Sequence, residues 1–198
     1  MNIEDILRIA KVHPSRAIAC FTFGSKVYGC DTYGSDTDIK LVYKGINSGQ
    51  EIKRTDYNIH LISEQDFEKQ LKEHLPGAVE CILAPENFKW VSKDFKFVLS
   101  IPSLRHMYSH VSSNSWVKAR KKIEQGDYET GVKSLFHSLR IPMFGIQLAT
   151  EGSIVDFTCA NHIIEELRSR TWTWTELDER FRPERNRIMT DFRKVTVK

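Results

Sequence analysis

Two carboxylates, Asp36 and Asp38, stand one residue apart at the head of an apolar-rich run, Ile39-Lys-Leu-Val-Tyr43. Side chains alternate across a strand, so this spacing puts both on one face, one pleat apart. Such a pair can share a hard divalent cation such as Mg2+. Upstream, the apolar run Ala17-Ile-Ala-Cys-Phe-Thr-Phe23 ends in Gly24-Ser25. Glycine lets backbone come close to a ligand, and Ser25 offers an N–H and a hydroxyl to a phosphate. A phosphate cradle beside a metal-binding pair is what nucleotidyl transfer needs.

Two further clusters bear on this chemistry. In Asp56-Tyr-Asn-Ile-His-Leu-Ile62, the polar residues Asp56, Asn58 and His60 alternate with Tyr57, Ile59 and Leu61. A polar face on a strand-like run borders a site, not a core. Further on, Lys133, His137 and Arg140 fall at i, i+4 and i+7, on one helix face. Leu135, Phe136 and Leu139 supply the packing side. Three basic or potentially basic groups on one face need anions opposite them or water between them, and a solvated basic face is the plain alternative. Lys26 and Tyr28 flank the cradle, where they either touch phosphate or base or simply pack.

These residues must be positioned by regular elements. Ile3, Ile6, Leu7 and Ile9 predict a first helix over residues 2–12, ended at His13-Pro14. Strands follow over 17–23, 37–43 and 56–62. The segment 44–49 reads as a polar turn with two glycines, suited to a hairpin or short loop. Ser63 is an N-cap, opening a helix to about His74 that Pro76-Gly77 breaks; a short helix follows over 78–83. Beyond about residue 101 strand signals vanish. Helices are predicted over 103–112, 114–125, 128–150, 158–170 and 174–194. The expectation is an α+β chain: a small mixed-sheet catalytic lobe over 1–100, then an all-helical lobe over 101–198.

The bulk numbers set limits. The chain has 198 residues, 40 % of them hydrophobic and 28 % charged, which suits a soluble globular protein. No apolar stretch approaches a membrane span, and the N-terminus lacks the features of a signal peptide. Cys20, Cys30, Cys81 and Cys159 show no CxxC spacing, which argues against a zinc site or a disulfide scaffold and for a reducing, cytoplasmic setting. The net charge of +3 is too small to demand nucleic acid. Arg180, Arg182, Arg185, Arg187, Arg193, Lys194 and Lys198 do crowd the C-terminus; they either track a phosphate backbone or form a solvated mixed-charge face.

The stretch from Gly24 to Asp38 resembles the Gly-Ser…Asp-x-Asp signature of the DNA polymerase β-type nucleotidyltransferase superfamily. Within it, Gly24-Ser25-x-x-Tyr28-Gly29 and Ser35-Asp36-x-Asp38 resemble the RNA-repair-pathway (RlaP-like) group. The run from Asp56 to Glu80 and the Lys133-x-x-x-His137-x-x-Arg140 helix with Ala149-Thr-Glu-Gly152 are similar to that group as well. The resemblance implies a polymerase β-like palm, NMP transfer from an NTP to an acceptor hydroxyl with release of pyrophosphate, and an RNA end as acceptor. A protein or small-molecule acceptor, and a non-catalytic nucleotide- or RNA-binding module, are the alternatives. It implies Mg2+, or Mn2+ in its place, on Asp36, Asp38 and a third carboxylate on the next strand. Nucleotide contacts would come from Gly24, Ser25, Lys26, Tyr28, Ser35, Lys133, His137 and Arg140. Asp56 is the nearest third carboxylate, yet about two extra residues separate it from Phe67 relative to the family pattern. Another register puts His60 there, a softer donor for a hard cation.

Overall fold

A computed structural model describes residues 2–45 and 48–195. Ile46 and Asn47 of the expected polar turn, and Lys198 of the basic tail, lie outside the described residues. The chain divides into two compact units, Met1–Val98 and Leu99–Lys198.

The first unit is built on a five-stranded mixed sheet in the order β3-β4-β2-β1-β5. The strands are β1 (Ala17–Phe23), β2 (Thr37–Tyr43), β3 (Gln50–Lys53), β4 (Tyr57–Ser63) and β5 (Lys89–Val91). β2 and β4 run parallel, and every other neighbouring pair is antiparallel. The turn after β2 therefore closes no β2–β3 hairpin. β4 takes the place beside β2, and β3 pairs on the outer edge of β4. The edge strands β3 and β5 are absent from the sequence expectation. Both are short, and Gln50-Glu-Ile-Lys53 is mostly polar; its strand geometry comes from the ladder to β4, not from an apolar pattern.

Helix α1 (Ile3–Ala10) covers one face of the sheet. Its Ile6, Leu7 and Ala10 pack with Cys20, Ile39, Leu41, Ile59 and Leu61. Ile6, Ile39 and Ile59 are fully buried, each contributing on the order of 2 kcal/mol by leaving water. On the opposite face, Phe67 of α3 (Glu64–Lys72) stacks on Phe21 with ring centroids 5.4 Å apart. Ser63 caps α3 by accepting from the Asp66 N–H at 3.1 Å, as its position predicts. Pro76 does not merely end a helix: it opens α4 (Pro76–Leu83), where a missing N–H costs nothing.

Two rows of side chains cross that opposite face. Phe23, Asp38, Asn58 and Lys53 are register partners in one row, and Phe21, Lys40, His60 and Glu51 in the next. The sheet thus turns its apolar side to α1 and its polar row to the site.

The second unit is helical: α5 (Ile101–Glu124), α6 (Tyr128–Glu151), α7 (Asn161–Arg168) and α8 (Trp174–Lys194). α5 is one continuous helix, where the serines and asparagine at 112–115 suggest a break. Ser112 is buried, and its hydroxyl donates to the Ser138 carbonyl at 2.6 Å. That carbonyl is available because Pro142, four residues on in α6, has no N–H. α8 opens with a reciprocal capping box between Thr173 and Glu176. No helix among the described residues is long and apolar enough to cross a membrane.

Candidate active site

The cradle forms where β1 ends. Gly24 sits at φ 79° and ψ −153°, a conformation essentially reserved for glycine. Its carbonyl accepts from the N–H groups of Val27 and Tyr28 at 3.0 and 3.2 Å, starting the short helix α2 (Ser25–Tyr28). A Cβ at Gly24 would lie 2.6 Å from Oδ2 of Asp38. Glycine is therefore what lets the turn press against that carboxylate. Ser25 and Lys26 form the first turn of α2 and are half-buried.

Two other expected nucleotide contacts have structural duties. The Ser35 N–H donates to the Thr32 carbonyl, and Ser35 Oγ accepts from the Thr32 N–H, both at 2.9 Å. Ser35 thus ties the loop that delivers Asp36. Tyr28, which the sequence sets beside the cradle, is 5 % exposed and donates its hydroxyl to Glu80 Oε2 at 2.6 Å. It fastens α2 to α4.

Asp36 is exposed just before β2, and Asp38 is half-buried in its second position. Asp56, the expected third carboxylate, lies just before β4 and not within it. Asp56 is exposed, and its carbonyl accepts from the Thr37 N–H at 2.8 Å, which sets it beside Asp36. The residue opposite Asp38 is Asn58. Asn58 Nδ2 donates to Asp38 Oδ1 at 3.2 Å and lies 3.0 Å from His60 Nε2. Glu51 closes the row: its carboxyl is held below the usual range, first by a hydrogen bond from Asn58 and then by Lys53 and His60. His60 Nε2 is 3.8 Å from Glu51 Oε1.

The donors suit a hard cation in kind, being carboxylate oxygens at the head of one strand against a backbone turn only glycine can make. They do not suffice in number: among the described residues no group of three His, Cys, Asp or Glu side chains is gathered for a metal. This makes Asn58→Asp informative. The variant sets a second carboxylate against Asp38, so it should melt lower than wild type in EDTA through like-charge repulsion. It should bind Mn2+ about tenfold tighter, because affinity for hard cations rises with ligand charge. Calorimetric titration with Mn2+ checks the second effect and thermal melting the first; unchanged affinity would place the metal away from Asn58.

A cavity of about 670 Å3 continues the site face past His60, between β4 and α3. Phe23, Lys40, His60, Asp66 and Gln70 line it. Lys40 Nζ donates to the Gly77 carbonyl at 2.8 Å and lies 5.3 Å from the Phe23 ring centre.

In the helical unit, α6 carries the basic cluster. Lys133 is exposed and pairs with Glu129 at 2.8 Å. Arg140 is 3 % exposed, lies over the Phe144 ring at 4.6 Å, and places Nη2 3.4 Å from His137 Nδ1. Burial pushes the His137 imidazole down to about 3, helped by Arg140, by Lys118 of α5 and by Lys133. His137 is therefore a neutral residue among cations, not a third cation. Its ordinary value is 6.5. As pH falls the unfolded chain takes the proton first, so the stability held by neutral His137 is complete above about pH 6.5 and drains away towards pH 3. The stability gap between wild type and His137→Gln should shrink by about 1.4 kcal/mol per pH unit over that window. Denaturant unfolding between pH 7.5 and 4.5 measures it.

The C-terminal arginines are largely spent. Arg180 binds Glu166 through two hydrogen bonds of 2.6 Å, Arg182 pairs with Asp178 at 2.6 Å, and Arg187 lies 3.8 Å from Asp191. α8 is the mixed-charge face that the sequence offers as the plainer reading.

No protein-family model matches the chain, and no curated protein matches it in sequence. A solved structure does match in three dimensions. It is the spectinomycin adenyltransferase of Enterococcus faecialis, crystallised with ATP and spectinomycin, with a TM-score of 0.50 over 97 % of each chain. The chain shares the fold of that structure, a mixed sheet followed by a helical lobe. At 12 % identity the likeness is one of fold, and it agrees with the α+β expectation of a mixed sheet followed by helices. Sequence reasoning missed Asn58 as the partner of Asp38 and Lys118 as a neighbour of His137. The first had a signal, the spacing to Phe67. The second had none, because it depends on how α5 packs on α6.

Proposed function

We propose that this chain is a nucleotidyltransferase that moves an NMP from an NTP to an acceptor hydroxyl and releases pyrophosphate. The observation that carries the reading is the Gly24–Asp38 contact. It sets a turn able to cradle phosphate against a carboxylate able to hold a divalent cation. The fold shared with that adenyltransferase supports it.

Asp36 and Asp38 would hold Mg2+, with Mn2+ as a substitute, and Asp56 is the further carboxylate beside Asp36. The metal supplies Lewis-acid neutralisation of phosphate charge and a lowered hydroxyl pKa. Gly24, Ser25 and Lys26 receive phosphate oxygens at the cradle. Ser35 keeps Asp36 in place, and Tyr28 keeps α2 in place. Lys133, neutral His137 and Arg140 are the nucleotide contacts proposed within the helical unit. The catalytic lobe is residues 1–100, followed by the helical lobe, 101–198. In-line displacement needs no covalent enzyme intermediate.

The acceptor is an RNA end, as the RlaP-like resemblance implies, and the setting is cytoplasmic. The second reading is a small-molecule acceptor, favoured by the structural neighbour's binding of spectinomycin. One assay separates them: each α-labelled NTP with Mg2+ or Mn2+, offered cellular RNA, protein or a pool of small metabolites. Label in RNA supports the first reading, and label in a small product the second. No label with any NTP overturns nucleotidyl transfer.

A further inference from the structure

The helical unit has an open face that the proposed chemistry leaves unused. Asn114, Val117, Lys118, Lys121, Lys122 and Gln125 lie together along α5. They follow one another at helical spacing, so they form a single stripe about 16 Å long. Asn114, Val117, Lys118, Lys121 and Gln125 are exposed. Among the described residues, Lys122 has an ion-pair partner, Asp127 at 3.0 Å, and no carboxylate pairs with Lys118 or Lys121. This differs from α8, whose arginines are mostly neutralised by carboxylates one turn away or on α7.

We propose that this face of α5 binds the phosphodiester backbone of a single-stranded RNA acceptor, through Lys118, Lys121 and Lys122. The inference deepens the proposed function and rests on it for the word acceptor. Three arguments carry it. The lysines are one helical turn or less apart, a spacing at which successive phosphates of an extended strand can each meet an ammonium. The stripe is polar and uncharged at both ends, Asn114 and Gln125, so hydrogen bonding to sugar and phosphate continues beyond the lysines. The track also joins the α6 cluster: Lys118 lies close enough to His137 to suppress its protonation. A compact neutral acceptor would have no use for three cations gathered within about 6 Å of helix axis (about 1.5 Å per residue).

The test uses the whole protein and a fluorescein-labelled 12-mer oligoribonucleotide, without NTP, with anisotropy followed between about 50 and 200 mM salt. Each neutralised phosphate on a single strand adds about 0.7 to the salt slope, so wild type should show a slope near −2. Lys118→Glu with Lys121→Glu should weaken binding at least tenfold and flatten the slope by about 1.4. Lys118→Gln with Lys121→Gln should flatten it similarly with a smaller loss of affinity, and serves if the reversed charges disturb folding. Arg187→Glu with Lys194→Glu makes the same change in net charge on α8 and should alter binding less than twofold.

Equal loss from the α8 pair, an unaltered slope in both lysine variants, or no binding at low salt overturns the inference. Its failure is separable from failure of the proposed function. Transfer of label to a small molecule with no oligonucleotide binding would leave nucleotidyl transfer standing. Lysine-dependent RNA binding with no transfer from any NTP would do the reverse.

Discussion

Asp38→Ala should abolish nucleotide transfer, with a loss of about 10³-fold or more, while leaving the chain folded. Asp38 is the residue on which both halves of the site converge. Its Oδ2 faces the Gly24 turn, and its Oδ1 accepts from Asn58. Removing a carboxylate that holds a catalytic cation forfeits several kcal/mol of charge stabilisation, and each 1.4 kcal/mol or so is tenfold in rate. The structural cost is small by comparison. Asp38 is half-buried, and the Asn58 amide that it leaves behind can bond a water instead. Pyrophosphate release from α-labelled NTP, read beside the thermal melt, separates the two effects. Lys133→Ala is the contrast: an exposed lysine already paired with Glu129 should raise the KM for NTP and spare kcat. An Asp38→Ala protein that transfers as well as wild type would sink the mechanism.

The parts of this fold that could be read from sequence share one property: their pattern is set by their own burial. β1 reads as a strand because all but its last residue are buried, and β2 and β4 read as strands because Ile39, Leu41, Ile59 and Leu61 alternate with polar neighbours. α6 and α8 declare themselves by long apolar periodicity and by the caps Asp127 and Thr173. What escaped depends on neighbours instead. β3 and β5 are strands only because β4 and β1 offer them open edges. The serine-rich middle of α5 is helical because Ser112 has a carbonyl to bond on another helix, a partner supplied by a proline 30 positions on.

The same division runs through the site. Gly24, Ser25, Asp36 and Asp38 lie on one continuous stretch, so spacing alone gathers them. Placing the next strand against them required the register. Alternation put Asn58 and His60 on one face of β4 but could not say which residue meets Asp38, since a shift of two residues preserves every facing. Tyr28 illustrates the opposite error. A tyrosine beside a phosphate loop invites a ligand role, yet a buried hydroxyl must find a partner, and Glu80 provides it from a helix that sequence cannot place.

Gly24→Ala should be nearly as damaging to transfer as loss of the carboxylate, and unlike that loss it should also cost stability. The backbone at φ 79° and ψ −153° carries a penalty of about 1–3 kcal/mol for any residue with a Cβ. The new methyl would then meet Asp38 Oδ2 at 2.6 Å, where the obstacle is a carboxylate pinned by Asn58. Either the turn withdraws or the carboxylate rotates, and each separates the phosphate cradle from the cation site. A displacement of about 1 Å at a reacting centre is enough to cost about 10²-fold. The expected result is a loss of 10²-fold or more in kcat/KM, from the geometric estimate, with a melting point lower by roughly 5–10 °C. Gly77→Ala supplies the control. It sits in α4 with ordinary backbone, and its Cβ would find only Lys40 Nζ at 3.5 Å. That variant should melt at or slightly above wild type, because alanine restricts the unfolded chain without straining the helix. If Gly24→Ala melts low but transfers normally, the turn is a structural hinge and phosphate must be held elsewhere. If both properties fall together, the contact between Gly24 and Asp38 is the hinge of the mechanism as well as of the fold.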